Sequence, residues 1–114
     1  MPEVIFSSPF KRRLKLLSKR YRQIRKDIQP IIEELEKGNL IGDRIPGTAA
    51  TVFKVRSKNS DIPVGKSGGY RLLYQVCSPD KVALLLIYAK SDQSDISSAE
   101  IAGFISQTLD TDLR

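Results

Sequence analysis

The residues best suited to chemistry in this chain are cations set among apolar segments: Lys54 and Arg56 in VFKVR, Arg71 in GKSGGYRLLY, and Lys90 at the end of KVALLLIYAK. Arginine is always charged, and its planar fork matches two phosphate oxygens. Arg56 and Arg71 therefore suit gripping a phosphodiester and stabilising charge that develops on it. A lysine crowded by other cations exchanges its proton more readily, which makes Lys54 and Lys90 candidates for acid or base. The chain has no histidine. That absence removes Ser-His and Cys-His triads, two-histidine metal sites and the paired-histidine route to RNA cleavage. Cys77 is the only cysteine, so it forms no internal disulfide and anchors no zinc site, and a reducing cytoplasm is the expected compartment. Asp92 and Asp95 together are a weak magnesium signal, and a solvated loop entering a helix is the better reading of them.

The stretch GKSGG at 65–69 carries the tail of a phosphate-binding P-loop, but the rest of that motif is missing. It needs a glycine where Ser60 stands and a helix after the lysine, where the alternation of YRLLYQV predicts a strand. Gly68 and Gly69 are expected instead to supply positive φ in a hairpin connection.

For the cations to act together, the strands that carry them must pair. Strands are expected over Val52 to Arg56 or slightly beyond, Tyr70 to Cys77 and Lys81 to Lys90, the last two joined by a tight turn at Ser78-Pro79-Asp80. Antiparallel pairing in that order gathers Arg56, Arg71 and Lys90 at one end of the sheet, with Lys66 in the loop above and Tyr88 on the alternation face of Lys90. Whether these charges share a face depends on register, which spacing leaves open. The last strand is apolar on both faces, so it should lie inside the sheet with cover on each side.

The flanking segments read as helices around a short N-terminal strand at Glu3 to Phe6. Ser8 offers an N-cap and Pro9 a first helical residue, followed by Phe10, Leu14 and Leu17 at helical spacing. A second helix carries Ile24, Ile28, Ile31, Ile32 and Leu35. Its Pro30 is tolerated if Asp27 is the N-cap, which places a break within 20–27. Gly38-Asn39 ends it. Residues 40–51 read as loop. Ser97-x-x-Glu100 is a capping box for a final helix with Ile101, Phe104, Ile105 and Leu109 inward. The order β-α-α-β-β-β-α describes an α+β fold, a mainly antiparallel sheet packed on a helical hairpin and a C-terminal helix.

The chain has 114 residues with a net charge of +6, suited to one domain over 1–114 with a modest core. No signal-peptide or membrane-spanning pattern stands out. Segment 1–26 holds nine Lys and Arg residues against Glu3 alone, 27–45 is acidic, 46–90 basic and 91–114 acidic. Such density attracts polyanions through counterion release, so nucleic acid is the first partner to consider, against the plainer alternative of a solvated helix face. Arg12, Arg13, Lys19 and Arg20 on the first helix, with Lys66 and Tyr88 near the sheet end, are the candidate RNA contacts.

Together, the basic helical hairpin, VFKVR, KSGGYRLLYQV and LLLIYAKSDQSDIS before a terminal helix resemble the RelE/HigB group of the RelE/ParE toxin superfamily, over nearly the whole chain. The resemblance implies the toxin of a type II toxin–antitoxin module: a ribosome-dependent mRNA endonuclease (an mRNA interferase) that inhibits translation in the cytoplasm with no metal or other cofactor. It implies mRNA, ribosomal RNA and a cognate antitoxin as partners, the last in a hetero-oligomer. Lys54, Arg56, Arg71 and Lys90 match basic active-site positions of the group. Its further arginine and tyrosine correspond here to Ser91 and, approximately, Ser97. ParE-like relatives with the same fold act on DNA gyrase. A gyrase-directed toxin and a non-catalytic RNA- or antitoxin-binding module are therefore the alternative readings.

Overall fold

The computed structural model describes residues 2–62, 68–93 and 96–112, with side chains as far as 106 in the last stretch. Along the chain run β1 (Glu3–Phe6), α1 (Ser8–Arg20), α2 (Ile24–Glu36), β2 (Asp43–Arg44), β3 (Val52–Ser57), β4 (Tyr70–Ser78), β5 (Lys81–Ala89) and α3 (Ser98–Asp112). The strands form one sheet in the order β1-β5-β4-β3-β2. β1 is parallel to β5 and every other neighbouring pair is antiparallel. The α+β class and the mostly antiparallel sheet are as expected. β2 is an addition within the expected loop, and its two residues are too few to show an alternation.

Alternation sorts the strand residues between two cores. The face bearing Val55, Tyr70, Leu72, Tyr74, Val82 and Leu84 packs on Phe10, Leu14 and Leu17 of α1 and the Ile24-Ile28-Ile31-Leu35 stripe of α2. The opposite face, with Val52, Leu73, Ala83 and Leu86, packs on Ile101 of α3, with Phe104 and Ile105 beside it. β5 is buried through both faces from Val82 to Ala89, as its unbroken apolar run requires.

One irregularity decides which side chains reach which face. Leu73 pairs with Leu86 but Tyr74 pairs with Leu84, so Leu85 is an extra residue in β5. Such a bulge advances the alternation by one. Leu85 and Leu86 both join the α3-side core, and Ile87 and Ala89 cross to the helical-hairpin side. The carbonyl displaced at the bulge is satisfied: the Ser7 hydroxyl donates to Leu85 O at 3.2 Å, and Ser7 Oγ itself accepts from Phe10 N at 3.2 Å. Ser7, rather than Ser8, is thus the N-cap of α1, fixed by a partner outside the helix.

The start of α2 also departs from expectation. The helix begins at Ile24 with Gln23 as N-cap, so Pro30 lies in its interior. A proline there costs about 3 kcal/mol, and the five-residue apolar stripe outweighs it. Asp27 is buried within the first turn, where its carboxylate accepts from Ser60 N at 2.8 Å and Ser60 Oγ at 3.0 Å. Asp61 in turn accepts from Gln23 N at 2.9 Å. The entry to the β3–β4 connection is therefore pinned to α2. At the other end Gly38, at φ +90°, and Asn39 close the helix by donating to Leu35 O and Glu34 O, as expected. The capping box of α3 forms as expected, with Glu100 N on Ser97 Oγ at 3.2 Å and Ser97 N on Glu100 Oε1 at 3.2 Å. Gly68 and Gly69 do not have positive φ. Gly69 is needed for close approach instead, since a Cβ there would overlap the Ser57 carbonyl oxygen.

Candidate functional site

The register across the three long strands brings the sequence candidates into one row. Arg56 pairs with Arg71, and Arg71 with Tyr88. Directly paired residues project to the same side of a sheet, so all three belong to the α3-side face. Lys54 stands one row along on that face, paired with Leu73. Without the bulge at Leu85, Tyr88 would continue the parity of Val82 and Leu84 and project towards the helical hairpin. The bulge sets it beside Arg71.

A groove of about 370 Å³ opens on this face, lined by Lys54, Arg56, Arg44, Asp43, Leu73 and Tyr88, with Ile45, Pro46 and Ile96 at its sides. Lys54 and Arg56 face one carboxylate there, Asp43, whereas Arg44, paired with Phe53, belongs to the opposite side of the sheet. Asp43 and Arg44 come from β2, and Asp43 pairs with Lys54 across the β2–β3 ladder. Residues 40–51 read as a featureless loop, so neither Asp43 nor Arg44 was among the candidates. Their pairing with β3 is the missing signal.

Arg71 sits between Arg56 and Tyr88 but is only 6% exposed. Among the described residues its guanidinium makes one hydrogen bond, from Nη1 to the Tyr70 carbonyl at 3.1 Å, and no ion pair. A buried guanidinium commonly has a carboxylate beside it, because desolvating the charge costs several kcal/mol. Here the neighbour in the row is a second arginine. Tyr88 is 1% exposed, which makes it a wall of the groove rather than a surface on which a base could stack.

Lys90 follows the end of β5 and is half-buried; its backbone N donates to Gly69 O at 3.0 Å, on the side of the row nearest the β3–β4 connection. Lys66 and Asp95 lie outside the described residues. Ser97 is engaged as the α3 cap, and no group of three metal-ligating side chains occurs among the described residues.

The α1 cations divide in two. Arg12 and Lys19 are exposed. Arg13 Nη1 donates to Gln93 Oε1 at 3.1 Å, and Arg20 Nη1 to Asp92 Oδ2 at 2.9 Å. Asp92 is thereby an arginine partner. No described helix is long and apolar enough to cross a membrane. In comparisons with known proteins, the chain matches no family model and no curated sequence.

Proposed function

We propose that the protein is a ribosome-dependent mRNA endonuclease of the RelE/HigB kind, the toxin of a type II toxin–antitoxin pair held in check by a cognate antitoxin. The observation that carries this reading is Arg71, which has no counter-ion among the described residues, set in one row with Arg56 beside a groove that also holds Lys54. A site that buries positive charge without its own counter-ion is suited to an anion supplied from outside.

The chemistry follows from RNA itself. The ribose 2′-oxygen attacks the adjacent phosphorus, its proton leaves to a base, and the bond to the 5′-oxygen breaks as that oxygen takes a proton. The products are a 2′,3′-cyclic phosphate and a 5′-hydroxyl. Asp43, the one carboxylate lining the groove among the described residues, is the base in this scheme, and Lys54 beside it is the acid. Arg56 and Arg71 hold the phosphorane oxygens, where charge is greatest. Lys90 adds positive potential at the end of the row.

The test is cleavage of ribosome-bound mRNA in a purified translation system. Arg71→Ala and Arg56→Ala are each expected to lower the rate by at least about a hundredfold, and Asp43→Asn by about a hundredfold or more. Supercoiling inhibition with intact mRNA would replace this reading with a gyrase-directed toxin. Folded protein with neither activity would leave a binding module.

A further inference from the structure

β1 covers only the first half of the β5 edge, ending where Phe6 pairs with Leu84. Beyond that point α1 runs alongside, and a second groove of about 350 Å³ opens between α1 and the turn that follows β5. Its α1 wall bears Arg13, Leu16 and Arg20, its floor is Tyr88 and Ala89, and its lip is Asp92 and Gln93. Asp92 N and Gln93 N both donate to Ala89 O, at 2.9 and 3.3 Å, and this turn presents the two side chains to the arginines.

Three features distinguish this groove from an ordinary solvated helix face. Both arginines are already bonded to oxygens of the same short turn. Arg20 is held in place from behind as well: Nη2 donates to the Tyr21 hydroxyl at 2.7 Å and the guanidinium lies 4.8 Å from that ring's centre. Finally, Tyr88 lines both this groove and the cationic groove on the sheet, so the two adjoin at one residue of β5.

The Arg20–Asp92 pair is exposed, at 57% and 39% of the two side chains. Exposed pairs of this kind contribute little to stability, so exchanging one partner is inexpensive. A phosphodiester offers the same fork-matching oxygens as the Asp92 carboxylate and, as part of a polyanion, adds counterion release. Leu16, 60% exposed in the same wall, gives a sugar or base an apolar contact.

We propose that this groove is a second subsite for single-stranded RNA, taking the phosphate and sugar next to the nucleotide held on the sheet, and that Asp92 and Gln93 occupy it as internal stand-ins that the RNA displaces. The inference deepens the nuclease reading and rests on it for the identity of the ligand. Asp92 then weakens RNA binding through Arg20, rather than simply lowering the net charge.

The experiment is equilibrium binding of a short fluorescent 2′-O-methyl oligouridine, which the 2′-attack cannot cleave, to the full chain at low salt. Asp92→Asn is expected to tighten binding about two- to fivefold, the reverse of the pair's modest strength. Arg20→Ala should weaken binding, and Asp92→Asn added to it should give no gain. Glu36→Gln, the same charge change at the opposite end of the hairpin, should leave affinity near that of the parent. An equal gain with and without Arg20, an equal gain from Glu36→Gln, or no oligouridine binding by the parent and Asp92→Asn proteins overturns the subsite. Coupling between Arg20 and Asp92 in a protein that never cleaves ribosome-bound mRNA would keep the subsite and remove the nuclease.

Discussion

Arg56 and Arg71 face each other directly across β3 and β4, an arrangement in which like charges repel. Burial of Arg71 adds a desolvation cost that no described carboxylate offsets. Arg71→Met keeps the side-chain volume and removes both penalties. It is expected to raise stability by about 1 kcal/mol or more, read as a higher midpoint in chemical denaturation, while abolishing cleavage. A fall in stability would mean that the guanidinium is satisfied after all, and would remove the argument for an external anion. The alternation of Lys54 with Arg56, and the place of Arg71 at the front of an apolar strand, were legible in the sequence. The burial of Arg71 was not: in GGYRLLY it looks like the solvated first turn of a strand. Asp43 was hidden for a related reason, since a carboxylate in a Gly-Pro loop becomes a site residue only when an edge pairing puts it opposite Lys54.

At the scale of elements, the site depends on the single extra residue in β5 and on the serine that holds it. Ser7 is fully buried, caps α1 and donates to the bulge carbonyl. Ser7→Ala removes the cap and orphans that carbonyl together, so a loss of about 1–2 kcal/mol is expected in urea unfolding. A change below a few tenths of a kcal/mol would show that water replaces both bonds. The helical hairpin, the three long strands and the capping box were each readable from local spacing. The bulge was not, because VALLLIYA is apolar at every position and a one-residue phase change leaves no mark on such a run. The misplaced start of α2 has a different origin. Asp27 has the residue type of a cap, but its partner Ser60 is 33 residues away.

For the molecule as a whole, two buried tyrosines on the helical-hairpin side tie stability to alkaline pH. Burial pushes Tyr74 up to about 12 from an ordinary 10.0, and raises Tyr70 in the same direction. Both phenols stay neutral in the folded chain at pH values where the unfolded chain already ionises. The stability Tyr74 contributes in this way is complete below pH 10 and lost as the pH rises through 12, and Tyr70 acts in the same direction. Tyr74→Phe is expected to flatten that decline. It also costs about 1 kcal/mol at neutral pH, because the hydroxyl donates to Ile41 O at 2.6 Å. Stability measured against pH for both proteins checks the two effects. The parallel pairing of β1 with β5 carries a different consequence. A nascent chain that stops before Lys81 has nothing for β1 to pair with and no carbonyl for the Ser7 hydroxyl, so a fragment of residues 1–80 is expected to show no cooperative melting. A protein proposed to attack ribosomes is thus expected to stay inactive towards the one translating it until β5 has been made.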